Sequence, residues 1–183
     1  MRKGEFCMIR AIKLELTAFK LLCLVLALPT NEAIAQERLV FKVAAEDTQY
    51  TQQYVIDVGD VLGHQVRLFE LHRTYPTNTP EVAGMKIVES WTRGVSDYTN
   101  NNGEATIYGV YVLENGDKFF TRASLVAVQS PGASNLTATA VGPITGGTGK
   151  LIRINGMTRT LTSANPAAGM NEIQVEIEYW LPK

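Results

Sequence analysis

Glu70 and His72 are the pair in this chain best spaced for proton chemistry. Two residues apart on a strand, such side chains share a face and lie roughly 6–7 Å apart along it. Val66 and Leu68 fall on that same face. A carboxyl among apolar neighbours is held toward its neutral form, and so gains the capacity to bind or transfer a proton. Alternation alone leaves the direction of this face open, because the opposite face carries Phe69 and Leu71. In one reading Glu70, His72, Val66 and Leu68 line an interior. In the other, Glu70 faces solvent beside a basic residue of a neighbouring strand.

Ile144-Thr145-Gly146-Gly147-Thr148-Gly149-Lys150 invites a phosphate-binding reading and fails its spacing. A Walker A loop places Gly four residues before Gly-Lys and Ser or Thr directly after. Here those positions hold Ile144 and Leu151, so the stretch reads as a glycine turn between strands. Metal binding has little to work with. His64 and His72 are the two histidines, and on one straight strand they stand about 27 Å apart at ~3.4 Å per residue. No Ser lies in a Gly-x-Ser-x-Gly elbow; Ser124 and Ser130 read as ordinary strand and loop serines. No metal and no cofactor is expected. Tyr108, Tyr111, Phe119, Phe120, Tyr179 and Trp180 either pack across strands or line a pocket, with Tyr108 and Tyr179 as ligand-contact candidates. Asn135-Leu136-Thr137 fits the glycosylation sequon, which a bacterial-looking export signal makes incidental.

The elements that position these residues begin after a targeting segment. Arg2, Lys3, Arg10, Lys13 and Lys20 precede the apolar run Leu21–Leu28. Pro29 breaks that run, and Ala33-Ile34-Ala35 forms a small-x-small cleavage site. Eight apolar residues are too few to span a bilayer core of about 30 Å. The expectation is a signal peptide over 1–35, cleaved after Ala35, and a soluble secreted or periplasmic domain over 36–183. Both cysteines, Cys7 and Cys23, leave with the signal, so the mature domain has no disulfide. Five of the 17 basic and three of the 18 acidic residues leave too, so 12 and 15 remain, a net of −3. That balance, without a basic run, gives no footprint for nucleic acid or anionic lipid.

The remaining chain reads as strands with two-residue alternation, bounded by Gly, Pro and Asn clusters. Ile173, Val175, Ile177, Tyr179 and Leu181 fall on one face of the last strand, and Glu172, Gln174, Glu176 and Glu178 on the other. Glu114-Asn115-Gly116-Asp117 is a hairpin turn joining Thr106–Leu113 to Lys118–Val128. Further strands are expected over Leu39–Ala44, Gln52–Val58, Gly63–Arg73, Lys86–Trp91, Asn135–Ile144, Lys150–Ile154 and Met157–Thr162. Pro76–Gly84, Asn100–Gly103, Ser130–Ser134 and Ser163–Gly169 read as loops. So many short strands in one chain of this length predict a barrel or a sandwich.

Ile144–Lys150 with the later Asn155-Gly156 resembles the Val/Ile-x-Gly-Gly-Thr-Gly-x-Phe and Arg-Gly signature of dirigent and allene oxide cyclase-like proteins. Leu151 takes the aromatic slot. Phe69-Glu70-Leu71-His72-Arg73 is similar to the Tyr-Glu-Leu-Asn-Glu segment of the plant cyclases. Tyr108-Gly109-Val110-Tyr111 with its hairpin, and Val175–Pro182, resemble strands of bacterial relatives. The resemblance implies an all-β fold, a single antiparallel, roughly eight-stranded β-barrel with a lumen, in a family whose members often form homotrimers. It also implies roles. Glu70 matches a cavity Glu thought to help open an epoxide, while His72 replaces an Asn that helps to hold a water.

Three functions follow as expectations. The first is a secreted barrel binding a small apolar molecule in its lumen. The second is an isomerase or cyclase acting on a fatty-acid-derived epoxide, or a dirigent-like guide of radical coupling, with Glu70 and His72 catalytic. The third is a cell-surface interaction module using the barrel exterior.

Overall fold

A computed structural model describes residues 36–182; the expected signal peptide, its cleavage site and both cysteines lie outside the described residues. Ten strands follow in order: β1 (Glu37–Val43), β2 (Thr48–Asp57), β3 (His64–Thr74), β4 (Glu81–Val82), β5 (Met85–Thr99), β6 (Asn102–Leu113), β7 (Lys118–Val128), β8 (Leu136–Gly147), β9 (Asn155–Asn165) and β10 (Met170–Trp180). Three single-turn 3₁₀ segments are the helical structure among the described residues.

One antiparallel sheet takes the order β1-β10-β9-β8-β7-β6-β5-β3-β2, and β4 pairs with β5. This is the all-β antiparallel class that the alternation predicts. The sheet curls until its inner face encloses a lumen, but the hydrogen-bonded ladder stays open between its edges β1 and β2, which the turn Ala45–Asp47 joins. Strict alternation drives the curling. In β8 the residues from Leu136 to Thr145 alternate buried and exposed without a break. In β10 Asn171, Ile173, Val175, Ile177 and Tyr179 turn inward, while outward Glu176 and Glu178 take Arg38 and Arg159 as ion partners.

Two apolar clusters hold the inside. The larger packs Val43, Tyr75, Val82, Ile87, Leu113, Phe119, Leu151, Ile177 and Tyr179 among others. The smaller packs Ala127, Leu136, Ala138 and Ala164 against Tyr98 and Leu125. Phe119 and Ala127 sit at opposite ends of β7, and Leu136 and Ile144 at or near opposite ends of β8, so the clusters lie toward opposite ends of the barrel. Each large side chain buried in the first contributes about 1.5–3 kcal/mol.

The glycine stretch 146–149 serves the larger cluster. Gly146, the last residue but one of β8, takes φ 149° and Gly149 takes φ 52°, both in the region that favours glycine. The backbone then enters the turn Gly149–Leu151, which drops a fully buried Leu151 into the large cluster. Thr148 pairs with Lys118 through its N–H (2.8 Å) and its Oγ1 (2.9 Å), and the Asp117 carboxylate accepts from the Lys150 N–H at 3.0 Å. The turn is thereby tied to the Asn115-Gly116-Asp117 hairpin.

Two sequence expectations need correction. Lys150–Ile154 is not a strand; Leu151 and Ile154 are buried plug residues on successive turns, bonded Leu151 N–H to Thr148 O and Ile154 N–H to Leu151 O. β5 runs to Thr99 rather than stopping at Trp91. Gly94, Ser96 and Asp97 are weak strand formers, which hid the extension. For Gly94 the cause is visible: the Phe69 ring of β3 lies across it, where a Cβ would collide.

Candidate lumen site

Side chains of directly paired residues point to the same face. The register therefore sorts the lumen wall into rows. Arg73 pairs with Ser90 and Ser90 with Tyr111; Leu71 pairs with Thr92, Thr92 with Gly109, and Gly109 with Thr121. Phe69, Gly94, Ile107 and Ala123 make the next row, and Arg67, Ser96, Ala105 and Leu125 the last. Large side chains on β3 thus face small ones directly across on β5, with Gly109 and Ala105 on β6 and Thr121 and Ala123 on β7 continuing the small positions between Tyr111, Ile107 and Leu125. Ala138, Thr158, Thr160 and Thr162 continue the small wall through β8 and β9. The outcome is a cavity of about 80 Å³ between the two clusters. Arg67, Ser96 and Tyr98 also line a polar pocket of about 190 Å³ with Gly63, Gln65, Asn100 and Asn101, which forms a mouth.

Arg73 is the outstanding group in this wall. It is 4% exposed. Its Nη1 donates to Thr92 Oγ1 at 2.9 Å and its Nη2 to Asn171 Oδ1 at 2.9 Å. Its Nε is buried and makes no hydrogen bond, and the Thr160 hydroxyl is unpartnered in the same way. Burial pushes the guanidinium pKa down from its ordinary value, with Tyr75, Tyr111 and Tyr50 opposing. Asn171 Nδ2 donates to Tyr50 Oη at 3.3 Å, and Tyr75 Oη bonds Ser90 Oγ at 2.7 Å. Burial raises the pKa of Tyr50, Tyr75 and Tyr111, and pushes Tyr98 up to about 12, so these phenols are neutral at ordinary pH. Among the described residues, no Asp, Glu, His or Lys lines the lumen, and its charges are Arg73 and, toward the mouth, Arg67.

The sequence-selected residues lie elsewhere. Glu70 and His72 are indeed on one face with Val66 and Leu68, but that face is the exterior. Glu70 Oε2 pairs with Arg93 Nε at 2.7 Å and its Oε1 accepts from Thr51 Oγ1 at 2.7 Å. His72 Nε2 pairs with Glu89 at 2.8 Å while its ring stacks on Trp91 with centroids 4.2 Å apart. Leu68 is 52% exposed, and Tyr108 points outward beneath the Arg122 guanidinium. Of the two directions that alternation leaves open for this face, the structure takes the outward one, with Glu70 beside a basic residue of the neighbouring strand; Glu70, His72, Val66, Leu68 and Tyr108 therefore do not line the lumen, because β3 turns its Arg67, Phe69, Leu71 and Arg73 face inward. Tyr179 does point inward, but into the large cluster, where its hydroxyl accepts from the Ala83 N–H at 2.8 Å and donates to Glu37. Arg73, Tyr50, Asn171 and Thr160 were not singled out from sequence. The available signal was an arginine in phase with Phe69 and Leu71.

No protein-family model and no curated protein matches the sequence. Among solved structures, the chain is similar to the pterocarpan synthase dirigent protein GePTS1, at 12% identity and a TM-score of 0.48, over 85% of this chain and 96% of that one.

Proposed function

We propose that this barrel binds one small, mainly apolar molecule in its lumen, as an exported binding protein. The observation that carries the reading is the cavity kept open between the two clusters, where Ser90, Thr92, Gly109, Thr121, Ala123 and Thr160 face inward among fewer large residues. Interiors ordinarily pack to crystal density, so a wall of small residues opposite Phe69 and Leu71 is what a binding site requires and a stability core does not. At about 80 Å³ the space suits a slender ligand that extends toward the mouth rather than a drug-sized one. The basic-then-apolar N-terminal sequence supports export as the setting.

The cyclase reading loses its main support, since Glu70 is engaged by Arg93 on the exterior and the lumen wall has neither carboxylate nor imidazole. Native mass spectrometry of the full chain, compared before and after denaturation, tests binding. A small molecule released from wild type, and lost from a folded Ala123→Phe variant that fills the cavity, is the expected result. A wild-type chain that releases nothing, together with no calorimetric binding of small alcohols, amides or carboxylates, overturns the proposal.

A further inference from the structure

We propose that Arg73 anchors the anionic head of the lumen ligand, a carboxylate carried on a slender apolar body. The inference rests on the lumen-binding reading and goes further by naming the ligand class.

An ionised side chain taken out of water needs a counter-charge or a full set of hydrogen bonds. Arg73 has neither. A guanidinium has five N–H donors, and Arg73 spends two, on neutral acceptors Thr92 and Asn171. Its Nε has no partner. None of the lining residues is acidic, and the surrounding phenols are neutral. The described residues therefore supply no anion to this cation. A ligand anion completes the arrangement: the planar fork accepts both oxygens of a carboxylate, and such charge-assisted pairs are the strong ones.

The rest of the wall sets the ligand's body. Leu71 and Phe69 stand between Arg73 and Arg67 on β3, with Ile107 and Leu125 on the facing strands. From Arg73 to Arg67 the strand covers about 20 Å at ~3.3 Å per residue. An apolar chain or a single ring fits beside these residues, head inward, with its far end at the mouth lined by Ser96, Tyr98 and Arg67. A single deep guanidinium suits a monoanion; a phosphate dianion would call for more than one donor cation. Arg67, exposed to the mouth, draws anions inward but does not hold the head.

The test is isothermal titration calorimetry on the full chain with matched probes: hexanoate against hexanamide, and benzoate against benzamide. Wild type is expected to bind the carboxylates at least about tenfold more tightly than the amides. Arg73→Gln removes that preference while amide binding stays within a few-fold, and Arg67→Gln keeps it. Equal binding of both classes by wild type overturns the anion anchor and leaves lumen binding standing. Binding of neither class overturns the lumen reading and this inference with it. A preference lost in Arg67→Gln and kept in Arg73→Gln also refutes the assignment. The wild-type comparison decides the question even where a variant fails to fold.

Discussion

If Arg73 is kept for a ligand, the ligand-free chain bears its cost, and removing the charge should stabilise the protein. Arg73→Met is the informative substitution, because Met is unbranched and fills irregular space. The effective penalty of a buried ion in a real protein is several kcal/mol, here taken as about 5. Against it stand two hydrogen bonds from a charged donor, to Thr92 and Asn171, at about 2 kcal/mol each. The unpartnered Nε adds nothing on the favourable side. Apolar burial of Met replaces that of the arginine stem, so this contribution nearly cancels. The balance is a gain of about 1–2 kcal/mol for Arg73→Met, which for a chain of this size raises Tm by about 2–6 °C.

The assay is urea unfolding followed by tryptophan fluorescence, with thermal unfolding beside it. The same experiment with saturating hexanoate reverses the order. A ligand at a hundred times its Kd adds about 2.7 kcal/mol to the state it binds, so wild type gains and Arg73→Met does not. A loss of more than about 2 kcal/mol in ligand-free Arg73→Met would refute the reasoning, since it would make Arg73 a strut holding β3 to β5 and β10 rather than a waiting charge.

Glu70→Gln and His72→Asn should leave hexanoate affinity unchanged and shift stability by no more than about 1 kcal/mol, because Glu70 makes a partly exposed ion pair and His72 a partly exposed hydrogen bond outside the barrel; calorimetry and urea midpoints check both. Gly142→Ala should destabilise by roughly 2 kcal/mol or more, measured by urea unfolding, because a Cβ there runs into the Arg122 carbonyl and the Ala123 Cα of β7 and no flexible tip can give way. His64 has Asp60 Oδ1 at 2.6 Å from Nδ1 and Asp97 Oδ1 at 2.7 Å from Nε2, and the bonds to Asp97 and Asp60 raise its pKa. Its stabilising contribution is therefore complete below an unfolded value near 6.5 and lost as pH rises through the raised folded value; an imidazole NMR titration in wild type and Asp97→Asn, where the midpoint should fall, reads it directly.

What could be read from sequence depended on whether one physical pattern had one cause. β7 was found at its true ends, Lys118 and Val128, because a hairpin with Asn-Gly fixes one end and Ser-Pro-Gly follows the other. β10 was legible because glutamates mark its wet face. The strand β3 was found too, but its orientation was not. Both its faces are apolar, Val66 and Leu68 outside and Phe69 and Leu71 inside, and exterior apolar residues are common enough that neither set marks the core. The second half of β5 was missed for a different reason. Its inward Gly94 is small because a ring from β3 occupies the space, and a constraint imposed by a residue some 25 positions away leaves no local trace.

The orientation of β3 also decides how far a motif can carry chemistry. Side chains alternate along a strand, so a change of facing by one residue exchanges everything the lumen sees. The segment Phe69-Glu70-Leu71-His72-Arg73 resembles one whose Glu lies in a cavity, yet here the cavity receives Phe69, Leu71 and Arg73. A carboxyl held neutral by burial donates protons. A guanidinium in the same low-dielectric space stays charged and collects an anion. Exchanging one for the other turns a site fitted to acid assistance into one fitted to holding an acid. The five residues read alike while their inward halves differ in sign of charge. The outward acid is not idle either: Glu70 to Arg93, His72 to Glu89 and the Arg93 guanidinium near Trp91 form a brace across β3 and β5. That brace lies on the outer face of the β3–β5 pairing whose inner face carries Arg73, so the residues that the resemblance marks for catalysis stand outside the barrel, back to back with the residue proposed to bind.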